Sequence, residues 1–384
     1  MATNYEIRLY SPTGTALASL NQFSNLECAL VENDVSVLTV TLPPIIPFAW
    51  LRRDAIIQVI RSVDGSPGKA LGSGTDAALW FIKKAGFTTN NDTELMWFTA
   101  YDAKVLLKQR VVEGYAGAPT SSKSGYLDNI MRQIVRENMG SIADTGLDIN
   151  RALGAGFWNI LTIEGDNSSS VTGEKAFAHR EVMPVLQDLA NQSADAGVYL
   201  SFDITHQGWN SYGLPALLFQ VFKGQRGVDR GATSPNRLVF SRQYGTITET
   251  KIENDWTIMA DVIKAGGAGD GAARIFEYAS DNSLVTESPF GRVEDFIDRN
   301  NITLATSLQA EAQAQLRESR PRLRMTGTLM DTPSARFGVH YNHGDIVTIE
   351  EAGTTFSARL SAIRITMTDS GEKIDAKVNT ETII

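Results

Sequence analysis

The residues whose types and spacing come nearest to a chemical site form a glycine loop at residues 266–271. Four of its six residues are glycine, and the loop follows a strand-like run that starts at Trp256 and ends at Ala265. Such a loop binds phosphate when a helix begins directly after it, because the free N–H groups of the first turn then face the anion. Here Arg274 is followed by Ile-Phe-Glu-Tyr-Ala-Ser, which alternates like a second strand, and no Gly-Lys-Ser or Gly-Lys-Thr is present. We therefore predict a tight hairpin at the glycine loop rather than a phosphate site.

Two histidines, His340 and His343, have a spacing that can hold a metal on one face of a helix. Their context, Val-His-Tyr-Asn-His-Gly-Asp, is that of a turn, and neither a glutamate partner nor a third ligand is near in sequence. We interpret them as a loop that leads into a strand at residues 345–350. His179 and His206 are isolated, and an isolated histidine is usually a surface or structural residue.

Motifs for nucleophilic or metal-dependent hydrolysis are absent from the sequence. It contains no Gly-x-Ser-x-Gly, no Ser-x-x-Lys with its companion motifs and no His-Glu-x-x-His. Acidic pairs such as Glu294 and Asp298 are expected on a polar helical face, where solvation accounts for them. Trp80, Trp97 and Trp256 lie within strand patterns and are expected in the core. The sequence therefore predicts no catalytic residue, no cofactor and no metal site.

Composition restricts the class of protein. A chain of 384 residues suits two to four domains, and 42% hydrophobic with 21% charged residues is typical of a folded globular protein. The net charge is −9, from 44 acidic and 35 basic residues, which is the wrong sign for a non-specific nucleic-acid binder. Because Cys28 is the only cysteine, the chain has neither an internal disulfide nor a cysteine-rich metal cluster. We expect Cys28 to be a small apolar side chain.

No targeting or membrane segment is evident. The N-terminal residues lack the apolar core of a signal peptide, and no apolar run approaches the roughly 20 residues of a membrane-spanning helix. We therefore expect a protein that folds in a reducing cytoplasm without an export signal.

Residues 1–113 are predicted to be β structure. The run Tyr-Glu-Ile-Arg-Leu-Tyr that starts at Tyr5 alternates strictly between apolar and charged side chains, as a half-buried strand does. Strands at this regular spacing favour a barrel or a sandwich. The further strands are predicted at residues 16–20, 26–32, 36–42, 55–61, 79–88 and 94–101.

Residues 114–240 are predicted to form a separate α+β unit. Ser124 can cap a helix whose apolar residues recur from Leu127 to Met139 at helical spacing, and a second helix starts near Val182. The long connection at 140–181 is expected to be mobile or functional. Strands are predicted at residues 157–164, 198–204 and 216–222.

The C-terminal third alternates again between β structure and a helix-containing insert. We predict β structure at 241–271 and 322–384, separated at 272–321 by a helical segment that begins at Arg292 and a clearer helix at 303–319. The last strands are predicted at residues 322–330, 345–350, 356–368 and 373–380. The whole chain is thus a doubled architecture of β unit, insert, β unit and insert, without the short period of a solenoid.

The order of these segments resembles the tail-hub proteins of long-tailed bacteriophages, a family related to the baseplate hubs of contractile phages. Six pieces in the same order, spread over nearly the whole chain, carry the resemblance. They are Tyr5-Glu-Ile-Arg-Leu-Tyr-Ser-Pro-Thr-Gly, Trp80-Phe-Ile-Lys-Lys with Leu95-Met-Trp-Phe-Thr-Ala-Tyr-Asp, Ile130-Met-Arg-Gln-Ile-Val-Arg-Glu-Asn, Leu238-Val-Phe-Ser-Arg-Gln-Tyr-Gly, the glycine loop with Gly291-Arg-Val-Glu-Asp-Phe-Ile-Asp, and His343-Gly-Asp-Ile-Val-Thr-Ile.

The resemblance implies a mainly β, α+β fold with two tube-like β-barrel domains and two helix-containing inserted domains. The barrels would be 1–113 and 241–271 with 322–384, and the inserted domains 114–240 and 272–321. It also implies a homotrimer without catalytic activity, because three subunits with two barrels each match a hexameric tail ring. We consider two alternatives: a hexameric distal-tail ring protein, and a carbohydrate-binding or carbohydrate-cleaving protein of the tail tip.

The same resemblance implies a place in the virion and a set of partners. The protein would be assembled in the host cytoplasm and would close the distal tail tube at the tail tip. Its partners would be the distal-tail ring or tail-tube protein, the tape-measure protein, and a central fibre or receptor-binding protein. DNA would be only a transient, non-specific passenger, which suits the acidic excess of the chain. Because the sequence ends soon after the last predicted strand, we expect any wall-degrading or receptor-binding domain on another chain.

Overall fold

Strands make up 46% and helices 16% of the computed structural model, which confirms the predicted mainly β, α+β class. Among the described residues, no helix has both the length and the apolar content that a bilayer span requires. The structure describes residues 3–72, 76–90, 93–114, 121–143, 151–153, 160–177, 179–257, 259–282, 286, 289–290, 292–320, 322–330, 332–351 and 353–379.

The chain divides into two compact units. Unit 1 consists of Met1–Ala194, Val198–Glu249 and Gly327–Val378, and unit 2 consists mainly of Thr250–Thr326. The main segment of unit 2 is therefore an insertion between two parts of unit 1.

The N-terminal part of unit 1 contains the strands that apolar alternation predicts, and one short additional strand, β6. In β3, for example, Leu26, Cys28 and Leu30 are buried, so Cys28 is an apolar core residue as predicted, and burial raises the pKa of its thiol. The strands are β1 (Thr3–Tyr10), β2 (Ala16–Leu20), β3 (Asn25–Val31), β4 (Val37–Leu42), β5 (Ile56–Val63), β6 (Lys69–Ala70), β7 (Trp80–Asn90) and β8 (Thr93–Asp102).

The following part of unit 1 contains its helices. Both long helices were predicted, and the predicted strand at 157–164 is present as a shorter strand, with residues 157–159 outside the described residues. The elements are α1 (Val105–Lys108), β9 (Ser121–Tyr126), α2 (Leu127–Met139), β10 (Leu161–Ile163), β11 (Thr172–Phe177), α3 (Val182–Asp195), β12 (Leu200–Trp209) and β13 (Pro215–Lys223).

One prediction for this part was wrong. Ser124 does not cap α2, because it lies inside β9, and α2 begins without a side-chain cap. The connection at 140–181, for which one strand was predicted, contains both β10 and β11, and β11 pairs antiparallel with β9. Pairing with β9 thus creates the strand β11, which the local sequence does not indicate.

The buried carboxylate of Asp128 holds part of this stretch against α2. It accepts hydrogen bonds from Arg132 (2.8 Å), from the Ser170 hydroxyl (2.6 Å) and from the backbone N–H groups of Ser169 and Ser170. Burial opposes ionisation of Asp128, but these hydrogen bonds outweigh it and lower its pKa to about 2. The buried carboxylate of Asp128 therefore holds the segment at Ser169 and Ser170 against α2.

The helices of unit 1 share an apolar core with the N-terminal strands. Ile130, Met131 and Ile134 of α2 belong to the same buried cluster as Ile56 and Phe81 of the N-terminal strands. One apolar core therefore joins the helices of unit 1 to its N-terminal strands.

Unit 2 is a small sheet covered on one face by a helix. Its strands are β17 (Val262–Gly266), β18 (Phe276–Ser280) and β19 (Glu294–Asp298). Three strands of the large sheet precede them in the chain: β14 (Asp229–Arg230), β15 (Val239–Phe240) and β16 (Ile247–Asp255). The helix α4 (Ala305–Glu318) was predicted, and it buries Leu308, Ala312 and Leu316 against Ile263 and Ala265 of β17. The helical segment predicted from Arg292 was wrong, because this segment forms β19 and pairs parallel with β17.

The last strands complete a large sheet. They are β20 (Arg322–Leu329), β21 (Ile346–Glu351), β22 (Thr354–Thr368) and β23 (Gly371–Asn379). The first half of the long β22 pairs with β21 and its second half pairs with β3, so N- and C-terminal strands join in one sheet of 15 strands. The order of its main path is β16-β20-β23-β22-β3-β4-β8-β7-β5-β1-β2.

This large sheet is open. Within the described residues, β2 pairs only with β1, and no pairing joins the two ends of the path. The closed barrels that we expected are therefore not present in the described chain, although the strands expected for them are.

Candidate functional site

The glycine loop connects two antiparallel strands. Gly266 of β17 pairs with Phe276 of β18, so the predicted hairpin is confirmed, although the connection at 267–275 is longer than a tight turn. It contains a single 3₁₀ turn at Gly271–Ala273 and leads into a strand rather than a helix. The phosphate interpretation requires a helix that begins directly after the loop, and here a strand follows instead.

The loop instead positions an arginine. The Arg274 guanidinium donates hydrogen bonds to the carbonyl oxygens of Gly267 (3.0 Å) and Gly266 (3.2 Å) and forms an ion pair with Asp298. It lies 5.6 Å from the ring centroid of Phe276 and 5.7 Å from that of Phe296. A Cβ atom at position 266 would lie 2.7 Å from the Arg274 Nη2 atom. Glycine at 266 therefore leaves the space that the guanidinium fills.

Two glycines of the loop offer a matched pair of substitutions. Gly269 has φ +105°, and a Cβ there would lie 2.5 Å from the carbonyl oxygen of Ala273, whereas Gly271 has φ +56° and open space around it. We expect Gly269→Ala to destabilise unit 2 by about 3 kcal/mol and Gly271→Ala by about 1 kcal/mol, because only the first adds a backbone clash to a left-handed conformation. Hydrogen exchange of the β17 and β18 amides measures the difference. Equal effects of the two variants would contradict the described loop conformation.

The two histidines of the His-x-x-His pattern make separate structural contacts. His343 is fully buried, and its Nε2 atom donates to the carbonyl oxygen of Ser361 at 2.9 Å. His340 accepts a hydrogen bond at Nδ1 from the backbone N–H of Arg336 (3.0 Å). The described residues contain no group of three His, Cys, Asp or Glu side chains that could hold a metal. As predicted, the pair belongs to a turn that leads into a strand, here β21.

The acidic pair Glu294 and Asp298 lies on β19 and not on a helical face, so the prediction for it was wrong. Four residues apart on a strand, the two positions are separated by about 13 Å, beyond the roughly 5–9.5 Å between the paired carboxyl groups of glycosidases. Each carboxylate is also paired with an arginine, Glu294 with Arg292 and Asp298 with Arg274. This pair is therefore not arranged for hydrolysis.

The tryptophans differ in their surroundings. Trp80 is fully buried, as predicted, and Trp97 is half-buried with the Lys84 ammonium 5.3 Å from its ring centroid. The prediction for Trp256 was wrong, because it follows directly after β16 and is 57% exposed. Of these three tryptophans, only Trp256 therefore exposes more than half of its surface.

The most prominent polar cluster of unit 1 was not predicted. Arg61 forms a two-pronged ion pair with Glu372 through Nε (2.8 Å) and Nη2 (2.7 Å), and its Nη1 donates to the carbonyl oxygen of Phe337 (2.6 Å). The Tyr5 hydroxyl also donates to Glu372. Both charged side chains are more than nine-tenths buried. The cluster links β1, β5 and β23, and a hydroxyl, a carboxylate and a backbone oxygen satisfy the guanidinium.

A signal for this cluster exists in the sequence. On β5, Arg61 lies on the same buried face as Ile57, Val59 and Val63. A charged residue at an inward position of an otherwise apolar alternation requires a buried partner. That partner, however, cannot be identified from the local sequence.

A second buried charge cluster lies at the end of β8. The Lys104 ammonium is 3.3 Å from Asp102 and 3.8 Å from Asp203 of β12, and Arg226 is paired with both Asp203 and Asp76. Burial lowers the pKa of Lys104, although Asp102 opposes this effect. The cluster connects the N-terminal strands to β12, and its charged side chains are paired with one another.

Comparison with known protein families gives a match over almost the whole chain. The model of the family of Siphovirus ReqiPepy6 Gp37-like proteins matches residues 6–378. No curated protein sequence matches the chain.

Three solved structures resemble the chain over nearly its whole length. A 43 kDa tail protein of prophage MuSo2 from Shewanella oneidensis has a TM-score of 0.59 at 12% identity, with 97% of this chain and 98% of that chain covered. A tail protein from Neisseria meningitidis MC58 has 0.57 at 13% identity, covering 99% and 98%. Prophage tail protein gp18 from Listeria monocytogenes EGD-e has 0.51 at 11% identity, covering 98% and 95%. At these identities, the likeness concerns the fold alone.

Proposed function

Because the chain belongs to the family of Siphovirus Gp37-like proteins, we propose that it is a structural protein of a bacteriophage tail and acts as a homotrimeric hub. The family match confirms the resemblance to proteins of long-tailed phages. The shared fold of three tail proteins supports the placement in a tail.

The observation that carries the hub proposal is the open sheet of 15 strands. The strand β2 at one end pairs with β1 on one side only, so its other edge has backbone N–H and C=O groups free of strand partners in the described chain. Strands of neighbouring copies can satisfy such an edge. In the proposal, three copies each contribute two tube-like regions, and together they form a six-part wall.

An exposed apolar segment supports assembly with a partner. Between β4 and β5, the chain reads Pro43-Pro-Ile-Ile-Pro-Phe, without a charged side chain, and Ile45 and Phe48 are each nearly half exposed. Contiguous apolar residues on a surface are typical of protein–protein contacts.

The remaining parts of the proposal follow from the hub role. The partners are the distal-tail ring or tail-tube protein, the tape-measure protein, and a central fibre or receptor-binding protein, in a virion assembled in the host cytoplasm. DNA passes without specific binding, in keeping with the net charge of −9. We assign no catalytic role, because the buried ion pairs described above are used to hold strands together.

The mass of the purified assembly tests the proposal. Native mass spectrometry is expected to give three copies of the 41.9 kDa chain. Six copies would favour the hexameric ring protein. A monomer that persists at high protein concentration would contradict the homotrimer.

A further inference from the structure

One face of the unit 2 sheet is uncovered and carries aromatic and cationic side chains. Along β17 and its two neighbours, alternate residues such as Ile263, Ala279 and Ile297 are buried in the core with α4. The residues between them lie on the opposite face, because strand side chains alternate. On that face Phe276 is 40%, Tyr278 51% and Phe296 48% exposed. We call these three rings together with Lys264 the ring face.

The backbone register places Lys264 at the centre of the ring face. Lys264 of β17 is paired directly with Tyr278 of β18 on one side and with Phe296 of β19 on the other. Its Nζ atom lies 4.6 Å from the ring centroid of Phe276 and 5.5 Å from that of Tyr278. The ammonium is therefore held among the rings by cation–π attraction.

The charges around Lys264 are already paired with one another. Asp298 is neutralised by Arg274 and Glu294 by Arg292. Among the described residues of the chain, Lys264 has neither an ion-pair partner nor a hydrogen-bond acceptor for its ammonium. The centre of the ring face thus presents one uncompensated positive charge beside three aromatic rings.

We propose that the ring face binds a protein segment in which a carboxylate is flanked by apolar side chains. The carboxylate pairs with the Lys264 ammonium, and the flanking side chains cover Phe276, Tyr278 and Phe296. Charge complementarity selects this occupant, because an uncharged apolar segment would leave the ammonium buried without a partner. This inference is independent of the number of copies in the assembly.

A carbohydrate fits this face less well than an acidic peptide. Sugars stack on free ring faces, whereas each of the three rings here already has a cation near it. Lys264 is close to Phe276 and Tyr278, and Arg274 lies 5.7 Å from the centroid of Phe296. Ring edges and an ammonium are both electropositive, and such a surface attracts a carboxylate.

Two matched peptides test the proposal with the full chain. The probes are acetyl-Leu-Phe-Glu-Phe-Leu-amide and its counterpart with glutamine in place of glutamate, and the dissociation constants are measured by saturation-transfer NMR at low salt. We expect the glutamate peptide to bind about tenfold more tightly than the glutamine peptide, as one charge-assisted contact provides. Lys264→Glu should remove this preference, and Lys264→Arg should retain it.

The control variant is Lys251→Glu, which changes an exposed lysine of unit 2 that is paired with Glu253. It should bind both peptides as the wild type does. If Lys264→Glu does not fold, as judged by its thermal unfolding, Lys264→Gln replaces it. Equal binding of the two peptides, unchanged binding by the Lys264 variants, or no binding at millimolar peptide would overturn the proposal. Binding of trigalacturonate without binding of the glutamate peptide would assign the ring face to an acidic sugar instead.

Discussion

Replacing Glu372 with alanine is expected to lower the free energy of unfolding of unit 1 by about 3–5 kcal/mol. The substitution removes both carboxylate contacts of Arg61 and the acceptor of the Tyr5 hydroxyl. The guanidinium then remains buried beside the Phe337 carbonyl and the Tyr5 oxygen, without the carboxylate that neutralises its charge. An uncompensated buried charge costs far more than the ion pair itself contributes, and this asymmetry makes the expected effect large.

Denaturant unfolding, followed together with hydrogen exchange in β1 and β5, measures this loss. The control is Glu27→Ala, which breaks the ion pair of Glu27 with Arg364, where both side chains are exposed. That change should cost about 0–1 kcal/mol, because water screens surface pairs. The double variant Arg61→Met with Glu372→Leu should recover most of the lost stability, since it leaves no charge unpaired. Similar losses for Glu372→Ala and Glu27→Ala would contradict a buried ion pair.

Lowering the pH from 7 to 5 is expected to cost unit 1 about 2 kcal/mol through His343 alone. Burial lowers the pKa of this imidazole to about 3, with a further contribution from the cations Lys104 and Arg226. The unfolded chain takes up a proton at His343 near its ordinary pKa of about 6.5, whereas the folded chain does not. The contribution of neutral His343 to stability is therefore complete above about pH 6.5 and is lost progressively as the pH falls toward 3.

The difference between wild type and His343→Gln isolates this effect from other groups that titrate. Glutamine retains an N–H donor for the Ser361 carbonyl but does not take up a proton. The free energy of unfolding of His343→Gln should thus fall less than that of the wild type between pH 7 and 5. The control variant is His179→Gln, which replaces an imidazole that is mostly exposed. Parallel profiles for wild type and His343→Gln would show that His343 is not buried in its neutral form.

Local patterns predicted most of the elements, because the spacing of apolar residues along a strand or helix indicates which of its faces is buried. The strands β1 to β5, β7 and β8 follow apolar alternation, and the helices α2, α3 and α4 follow helical spacing. The hairpin at the glycine loop was predicted in the same way, from alternation on both sides of it. These elements need no information from distant parts of the chain.

Two of the wrong predictions share a cause in non-local pairing. In the segment that forms β19, Val293, Phe296 and Ile297 have helical spacing, and this favoured a helix. Parallel pairing with β17 gives the backbone hydrogen bonds a partner that the segment itself does not reveal. The same holds for β9, where pairing with β11 replaces the predicted cap at Ser124.

The sequence by itself determined the mainly β class, the helices, and the absence of motifs for hydrolysis or phosphate binding. Only the tertiary structure decided that the glycine loop holds Arg274 between two phenylalanines, and that Lys264 is left as the uncompensated charge beside them. It also decided that β22 joins the N- and C-terminal strands, and that Arg61 meets Glu372 across 311 positions of sequence. The physical reason is the range of the interactions. Periodicity reports which face of an element is buried, whereas the partner of a buried charge or of a strand edge depends on chain segments that only folding brings together.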